Sequence, residues 1–296
     1  VTPVKVTLEY LHPWTNSAGF MVAAAEGWYA DSGLDVELTV PDPARGDSLE
    51  YLNRGETTFA VFPTNRLLVR RDRGEPLVGI AAVNHRAMET IKTAKSTGIR
   101  RPRDLEGRRL AYNPTPRGVA MVRHLVAADG GDPDKVITVD SGTRELQTDD
   151  LLRGVADATF GTYWAWDVLL DPSPEQLYWP VDEIGAPRYH SYLVGTREDS
   201  DPGLVRAFLA ATARGYQAAI SDPERGMEVF EHYIPYFRRD VLSRSLSLIA
   251  PTWTHDGRWG GQRQELMAPY AAWLADAGIL SSADVWERAV TNEFLP

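Results

Sequence analysis

The chain has 296 residues, 43% of them hydrophobic and 24% charged, enough apolar material for one large domain or two medium ones. With 41 acidic against 31 basic side chains its formal net charge is -10, and no basic stripe interrupts the acidity, which argues against nucleic acid or an anionic membrane surface as partner. The absence of cysteine excludes disulfides, thiolate nucleophiles, Cys-bound zinc and iron–sulfur clusters, and no apolar run approaches the roughly 20 residues of a membrane span.

Residues 4–10 alternate apolar and polar side chains with β-branched enrichment and predict a half-buried strand. Residues 11–17 carry the turn signals Pro13 and Asn16, and 18–29 read as one helix ending near Gly27 or Gly33. A strand at 34–40, a helix at 47–54, a strand at 59–62, a helix at 65–73 and a strand at 77–83 follow. A second series then begins, extended at 89–94, punctuated at 101–107, with strands at 109–112, 136–139 and 158–160 and helices at 117–128, 144–153 and 164–170. After one more strand at 192–194 the pattern is almost wholly helical, over 204–220, 224–233, 238–249, 260–277 and 282–290.

Two successive α/β series with a helical carboxyl-terminal region predict two α/β lobes, the first made of 1–88 with 192–296 and the second of 89–191. The chain then crosses between lobes twice, near 84–91 and 188–194. That makes a hinge, with a small ligand expected where strand-end loops converge.

The chemistry-bearing motifs are few. The six histidines, His12, His85, His124, His190, His232 and His255, show no metal-ligand spacing, so no metal is expected. There is no nucleophile elbow, phosphate loop or dinucleotide fingerprint, and no cofactor is expected. Of the four lysines, Lys5, Lys92, Lys95 and Lys135, only Lys92 and Lys95 lie near a crossover where a Schiff base would be useful, and both read as solvated charges.

Nine tryptophans and twelve tyrosines are many, and several fall in strand-end loops. In the run 161–167, Tyr163 and Trp164 offer aromatic faces to a flat ligand and Asp167 can accept from an exocyclic amine, although helical spacing turns at least one of Trp164 and Trp166 inward. In the run 113–119, Asn113, Thr115 and Arg117 suit an anionic or carbonyl group at a helix start, or form an ordinary Thr-Pro turn. Thr64 and Asn65 stand at the corresponding place in the first lobe, as helix cap or ligand contact.

The run 18–29 with 32–38 resembles the start of the ABC-transporter solute receptors for nitrate, sulfonates, taurine and thiamine pyrimidine precursors, a superfamily that also holds the fungal thiamine-pyrimidine synthases. Segments 52–60, 73–78, 96–107 and 185–189 extend the resemblance over about the first 200 residues, and Tyr163-Trp164 with Asp167 look most like the pyrimidine-precursor receptors. The resemblance implies a type II periplasmic-binding fold whose lobes close over a ligand delivered to a membrane permease.

The first loop departs from the pyrimidine-receptor pattern Trp-x-Pro-Asn-x-x-His-Ala-Gly, with Leu11, Trp14 and Ser17 at the Trp, Asn and His positions. The synthases use a Lys and a nearby His after the third strand and a cysteine-rich second crossover. Here residues 62–67 hold neither Lys nor His, and 185–192 hold no Cys.

The expectation is therefore a non-enzymatic extracytoplasmic receptor, periplasmic or lipid-anchored, monomeric, working with an ABC permease. Its start at Val1 is consistent with an initiator and export signal lying outside the sequence. The expected ligand is small, planar and polar. It is to be held by Trp14, Asn16, Thr64, Asn65, Asn113, Thr115, Arg117, Tyr163, Trp164, Asp167 and Tyr189. The alternative is an enzyme on the same fold, synthase-like or decarboxylase-like, using His12, His190 or Asp167 as acid or base.

Overall fold

The computed structural model describes residues 1–296. β1 (Thr2–Thr7) sends Val4 and Val6 into the core and leaves Lys5 outside, as its period-two pattern requires. The helix expected over 18–29 is two pieces, α1 (Ala18–Ala25) and α2 (Trp28–Asp31), because Gly27 sits at φ 74°, where a helix stops. β2 (Leu34–Thr39), α3 (Ser48–Asn53), β3 (Phe59–Pro63), α4 (Thr64–Asp72) and β4 (Leu77–Ala82) complete the first series.

The second series comprises β5 (Glu89–Ala94), β6 (Arg109–Tyr112), α5 (Pro116–Ala128), β7 (Ile137–Asp140), α6 (Thr148–Leu152), β8 (Ala158–Tyr163), α7 (Asp167–Leu170) and β9 (Gln176–Pro180). β9 was not anticipated. It is an edge strand, half-buried along its whole length, so it has no alternation to read, and its Pro180 is tolerated because only one side is paired. The chain continues through β10 (Tyr192–Arg197), α8 (Pro202–Ser221), α9 (Pro223–Tyr233) and α10 (Arg239–Ile249). A small hairpin, β11 (Thr254–His255) with β12 (Arg258–Trp259), and α11 (Gln264–Asp276) follow. The Asp256-Gly257 turn, both residues at positive φ, makes that hairpin, and the helix expected from 260 starts only at Gln264, Gly260 standing at φ 92°, outside the helical region. The expected helix over 282–290 is a single 3-10 stretch, Ala283–Arg288.

The chain divides into two compact units, unit 1 being Val1–Arg86 with Tyr189–Pro296 and unit 2 Ala87–Arg188. Unit 1 contains a five-stranded sheet of order β2-β1-β3-β10-β4, and unit 2 one of order β7-β6-β8-β5-β9. The two orders are the same design. In each, four strands share one direction, and the fourth in order, β10 or β5, is antiparallel to both its neighbours and is the strand that adjoins a crossing between units.

Unit 1 also carries the helical third of the chain, docked through an unusually close crossing of α1 and α8. A Cβ on Gly215 would stand 2.0 Å from the carbonyl oxygen of Gly19, and one on Gly19 would meet the Tyr216 ring at the same distance. Both positions must therefore lack a side chain. Unit 2 instead holds a buried ion pair, so Lys92 is not the solvated charge expected from sequence: a buried carboxylate offsets the cost of taking its ammonium out of water. Lys92 Nζ lies 2.9 Å from Asp171 Oδ2, and the same oxygen accepts from the Thr148 backbone N–H and hydroxyl, each at 2.7 Å. No helix of the chain is long and apolar enough to cross a membrane.

Candidate functional site

In unit 1 the candidate site is the loop leaving β1. Glu9 follows the strand by two residues and stays half-exposed. Its Oε1 accepts from Trp14 Nε1 at 2.8 Å and from Asn16 Nδ2 at 3.2 Å. Removal from water raises the Glu9 carboxyl above its ordinary value, against its own backbone N–H and these two donors, which lower it.

Asn16, expected as a ligand contact, is a buried junction. It forms a reciprocal amide pair with Asn84, donating at 3.0 Å and accepting at 2.8 Å, while its Oδ1 also accepts from Trp253 Nε1 at 3.0 Å. Its carbonyl accepts from the Tyr216 hydroxyl at 2.7 Å, so both amide protons and both lone pairs of the side chain are engaged inside the unit. Trp14 is fully buried, with Tyr10 and Tyr192 packed against it at ring separations of 6.3 and 6.4 Å. Tyr10 keeps an exposed portion.

Thr64 opens α4 and donates its hydroxyl to the His190 carbonyl at 2.6 Å, and neighbouring Asn65 is half-exposed. Tyr189 is buried and stacks on Tyr270, ring centroids 4.4 Å apart. His190 is sealed and satisfied. Its Nδ1 donates to the Asn84 carbonyl and its Nε2 accepts from the Arg263 backbone N–H, both at 3.0 Å. That pattern defines a neutral tautomer, and burial lowers its pKa to about 4. A ring with both nitrogens engaged in this way is poorly placed to move protons at neutral pH. His12 differs, being half-exposed with Nδ1 donating to the Pro13 carbonyl at 2.8 Å.

In unit 2 the candidate residues lie at the carboxyl ends of β6 and β8. Thr115 caps α5, its Oγ1 accepting from the Gly118 N–H at 3.1 Å, while its own N–H bonds the Asn113 carbonyl at 2.8 Å. Both side chains are solvent-exposed. Arg117 donates to Glu89 Oε1 at 2.5 Å, so its charge is already matched.

At the end of β8 the strand runs on through Tyr163, three residues beyond the expected 160, and the helix starts only at Asp167. Asp167 Oδ2 accepts from the Tyr163 N–H at 2.9 Å, and Trp164 Nε1 donates to the Ala87 carbonyl at 2.9 Å. Trp164 and Trp166 are both buried, whereas Tyr163 keeps an exposed face. Glu145, which no motif marked, donates nothing and accepts from the Thr162 hydroxyl at 3.3 Å. Its stem is exposed, but burial of its carboxyl end, and then the charge of Asp167, push its pKa up to about 7.

The strand ends of both units thus present acceptors. Glu9 stands in one and Asp167 with Glu145 in the other, and the arginine placed near the second is neutralised by Glu89. Sequence reading missed Glu9 and Glu145 because an isolated acidic residue in a polar stretch carries no spacing signal. No group of three or more His, Asp or Glu side chains is placed to hold a metal ion.

Comparison with known proteins places these features in a family. The chain is 26% identical over 300 residues to the formylaminopyrimidine-binding protein of Halalkalibacterium halodurans, covering 97% of this chain and 90% of that protein. It is also 26% identical over 256 residues to the 4-amino-5-hydroxymethyl-2-methylpyrimidine phosphate synthase of Legionella pneumophila, covering 83% and 79%. Among solved structures, the periplasmic aliphatic sulphonate binding protein of Escherichia coli superposes with a TM-score of 0.73 at 11% identity, over 98% of this chain and 92% of that one. That likeness shows the periplasmic-binding-protein fold, two α/β units with mixed sheets. A sequence model of the NMT1/THI5-like family matches residues 14–226, well over half of the chain, and the protein belongs to that family.

Proposed function

We propose that this protein is the extracytoplasmic solute-binding receptor of an ABC importer and that its ligand is a small, planar, amine-bearing heterocycle of the thiamine-pyrimidine class. The observation that carries the reading is the chemistry of the strand ends, where ligands of open α/β sheets bind. Carboxyl groups whose ionised form burial disfavours, Glu9 and Glu145, together with the neighbouring Asp167 carboxyl, favour a ligand rich in N–H groups. They disfavour a sulfonate or nitrate, because like charges in a poorly solvated site repel strongly. The proposed contacts are those expected from sequence, with Glu9 and the partly exposed Tyr10 added; Asn16, fully engaged, serves by orienting Glu9. The named function of the Halalkalibacterium relative agrees with this reading.

The synthase relative is the specific reason to weigh an enzyme. Chemistry through a lysine-bound cofactor needs a lysine at the carboxyl ends of the parallel strands, and none of the four is there: Lys95 follows β5, which runs antiparallel to β8. Lys92 is sealed against Asp171, Lys5 faces Glu37 on the outer side of β1, Lys95 donates to the Pro174 carbonyl and Lys135 faces Glu106 and Asp132. The receptor reading is therefore the better supported one. Thermal-shift screening against thiamine pyrimidines, flavins, sulfonates and aromatic acids tests it: an aminopyrimidine at a hundredfold excess over its Kd should add about 2.7 kcal/mol of stability. Consumption of the compound, rather than its recovery unchanged, would establish the enzyme instead.

A further inference from the structure

Glu9 is unlike the other acidic groups of unit 1. One oxygen is fixed by two donors from the same loop, the Trp14 indole at 2.8 Å and the Asn16 amide at 3.2 Å, and Asn16 is itself locked to Asn84 and Trp253. Rotating the carboxyl group away would break both of these hydrogen bonds, so its orientation is fixed. The other oxygen, Oε2, accepts from no other side chain, and the residue retains exposed surface. A carboxyl group held by two donors on one oxygen, with no side-chain donor on the other, at the carboxyl end of a central strand, is a recognition element.

We propose that Glu9 is the specificity-determining residue of the ligand site, and that its Oε2 accepts the exocyclic amine N–H of the heterocycle, distinguishing 4-aminopyrimidines from their 4-oxo counterparts. The proposal deepens the receptor reading and rests on it. The discrimination is strong because a site built to accept an N–H leaves two acceptors facing each other when an oxo group replaces the amine.

The local geometry also dictates the effect of the isosteric variant. In Glu9→Gln, Trp14 and Asn16 still require an acceptor, so the amide oxygen occupies the Oε1 position and the NH2 takes the place of Oε2. The site's polarity is inverted at one atom while its shape is kept.

The experiment is calorimetric titration of wild type and E9Q with 4-amino-5-hydroxymethyl-2-methylpyrimidine and with its 4-oxo analogue. Wild type should prefer the amino compound by at least tenfold, and E9Q should reverse the preference. Should E9Q not fold, Glu9→Asp, which withdraws the same carboxyl by one methylene, should lose at least tenfold for the amino compound and little for the oxo compound. A folded E9Q that keeps the wild-type preference, equal losses in E9D, or a wild type that binds both compounds alike would overturn the role of Glu9 and leave the receptor reading standing. A wild type that binds neither pyrimidine would overturn both.

Discussion

Units 1 and 2 share one sheet design but stabilise it differently. Unit 1 closes its helical layer by bringing two backbones into contact where Gly19 meets Gly215, and it buries neutral polar groups, the Asn16–Asn84 amide pair and His190. Unit 2 has no comparable crossing and buries a charge pair, Lys92 with Asp171. One topology tolerates both solutions because the sheet needs only filled volume and satisfied polar atoms on its faces, not a particular chemistry.

The largest test of that contrast is Gly215→Ala. The new methyl would have to occupy the space of the Gly19 carbonyl oxygen, 2.0 Å away, so α8 must move off α1. We expect a loss of roughly 4 kcal/mol or more, read by calorimetric unfolding, with exchange protection lost first in unit 1. A variant with wild-type Tm would show that the crossing is loose.

Next in size is Lys92→Met, which leaves the Asp171 carboxylate buried with only the two Thr148 donors. It should cost about 3 kcal/mol. The double variant K92M/D171N should recover much of the loss, and if it does not, the pair's packing rather than its charge holds unit 2 together.

The smallest effect is a divergence with pH. In unit 1, His190 and His85 have pKa values lowered by burial to about 4 and about 3, from 6.5. The unfolded chain therefore takes up protons that the folded unit refuses, so stability present above pH 6.5 is lost as pH falls toward 4, at most about 3 kcal/mol for His190 alone. Glu9 opposes this loss in part, since its carboxyl is raised. In unit 2 the sign is reversed at Glu145. Its pKa rises from 4.5 to about 7, so the folded unit binds the extra proton in that interval and gains stability as the medium is acidified. Hydrogen exchange at pH 7 and pH 5, corrected for intrinsic rates, should show unit 1 loosening relative to unit 2, and parallel behaviour would mean these groups do not control opening.

The same contrast explains what the sequence could show. Alternation revealed β1 because Val4 and Val6 face a core and Lys5 does not, and punctuation by Gly and Pro delimited most helices. β9 escaped because an edge strand half-buried throughout has no period. Glu9 escaped for a different reason. Continued alternation after Leu8 turns it toward solvent, but the strand ends at Thr7 and the chain folds back so that donors five and seven residues later capture it. Asn16 was marked by its turn, yet what fixes its role is Asn84, 68 residues away, and Trp253, 237 residues away, distances over which no local pattern speaks. Thr115 looked equally like a cap or a contact, and the cap is a geometry that leaves its exposed side still available.

The strand order carries a consequence for how the molecule is made. Unit 2 is one uninterrupted stretch, Ala87–Arg188, and possesses every strand of its sheet once that stretch has left the ribosome. Unit 1 lacks the strand that belongs between β3 and β4 until Tyr192–Arg197 has been synthesised, so its earlier strands wait with two inner edges open. During synthesis the middle stretch can therefore complete its sheet first, and the amino-terminal segment is the part that most needs shielding from misassociation while it waits.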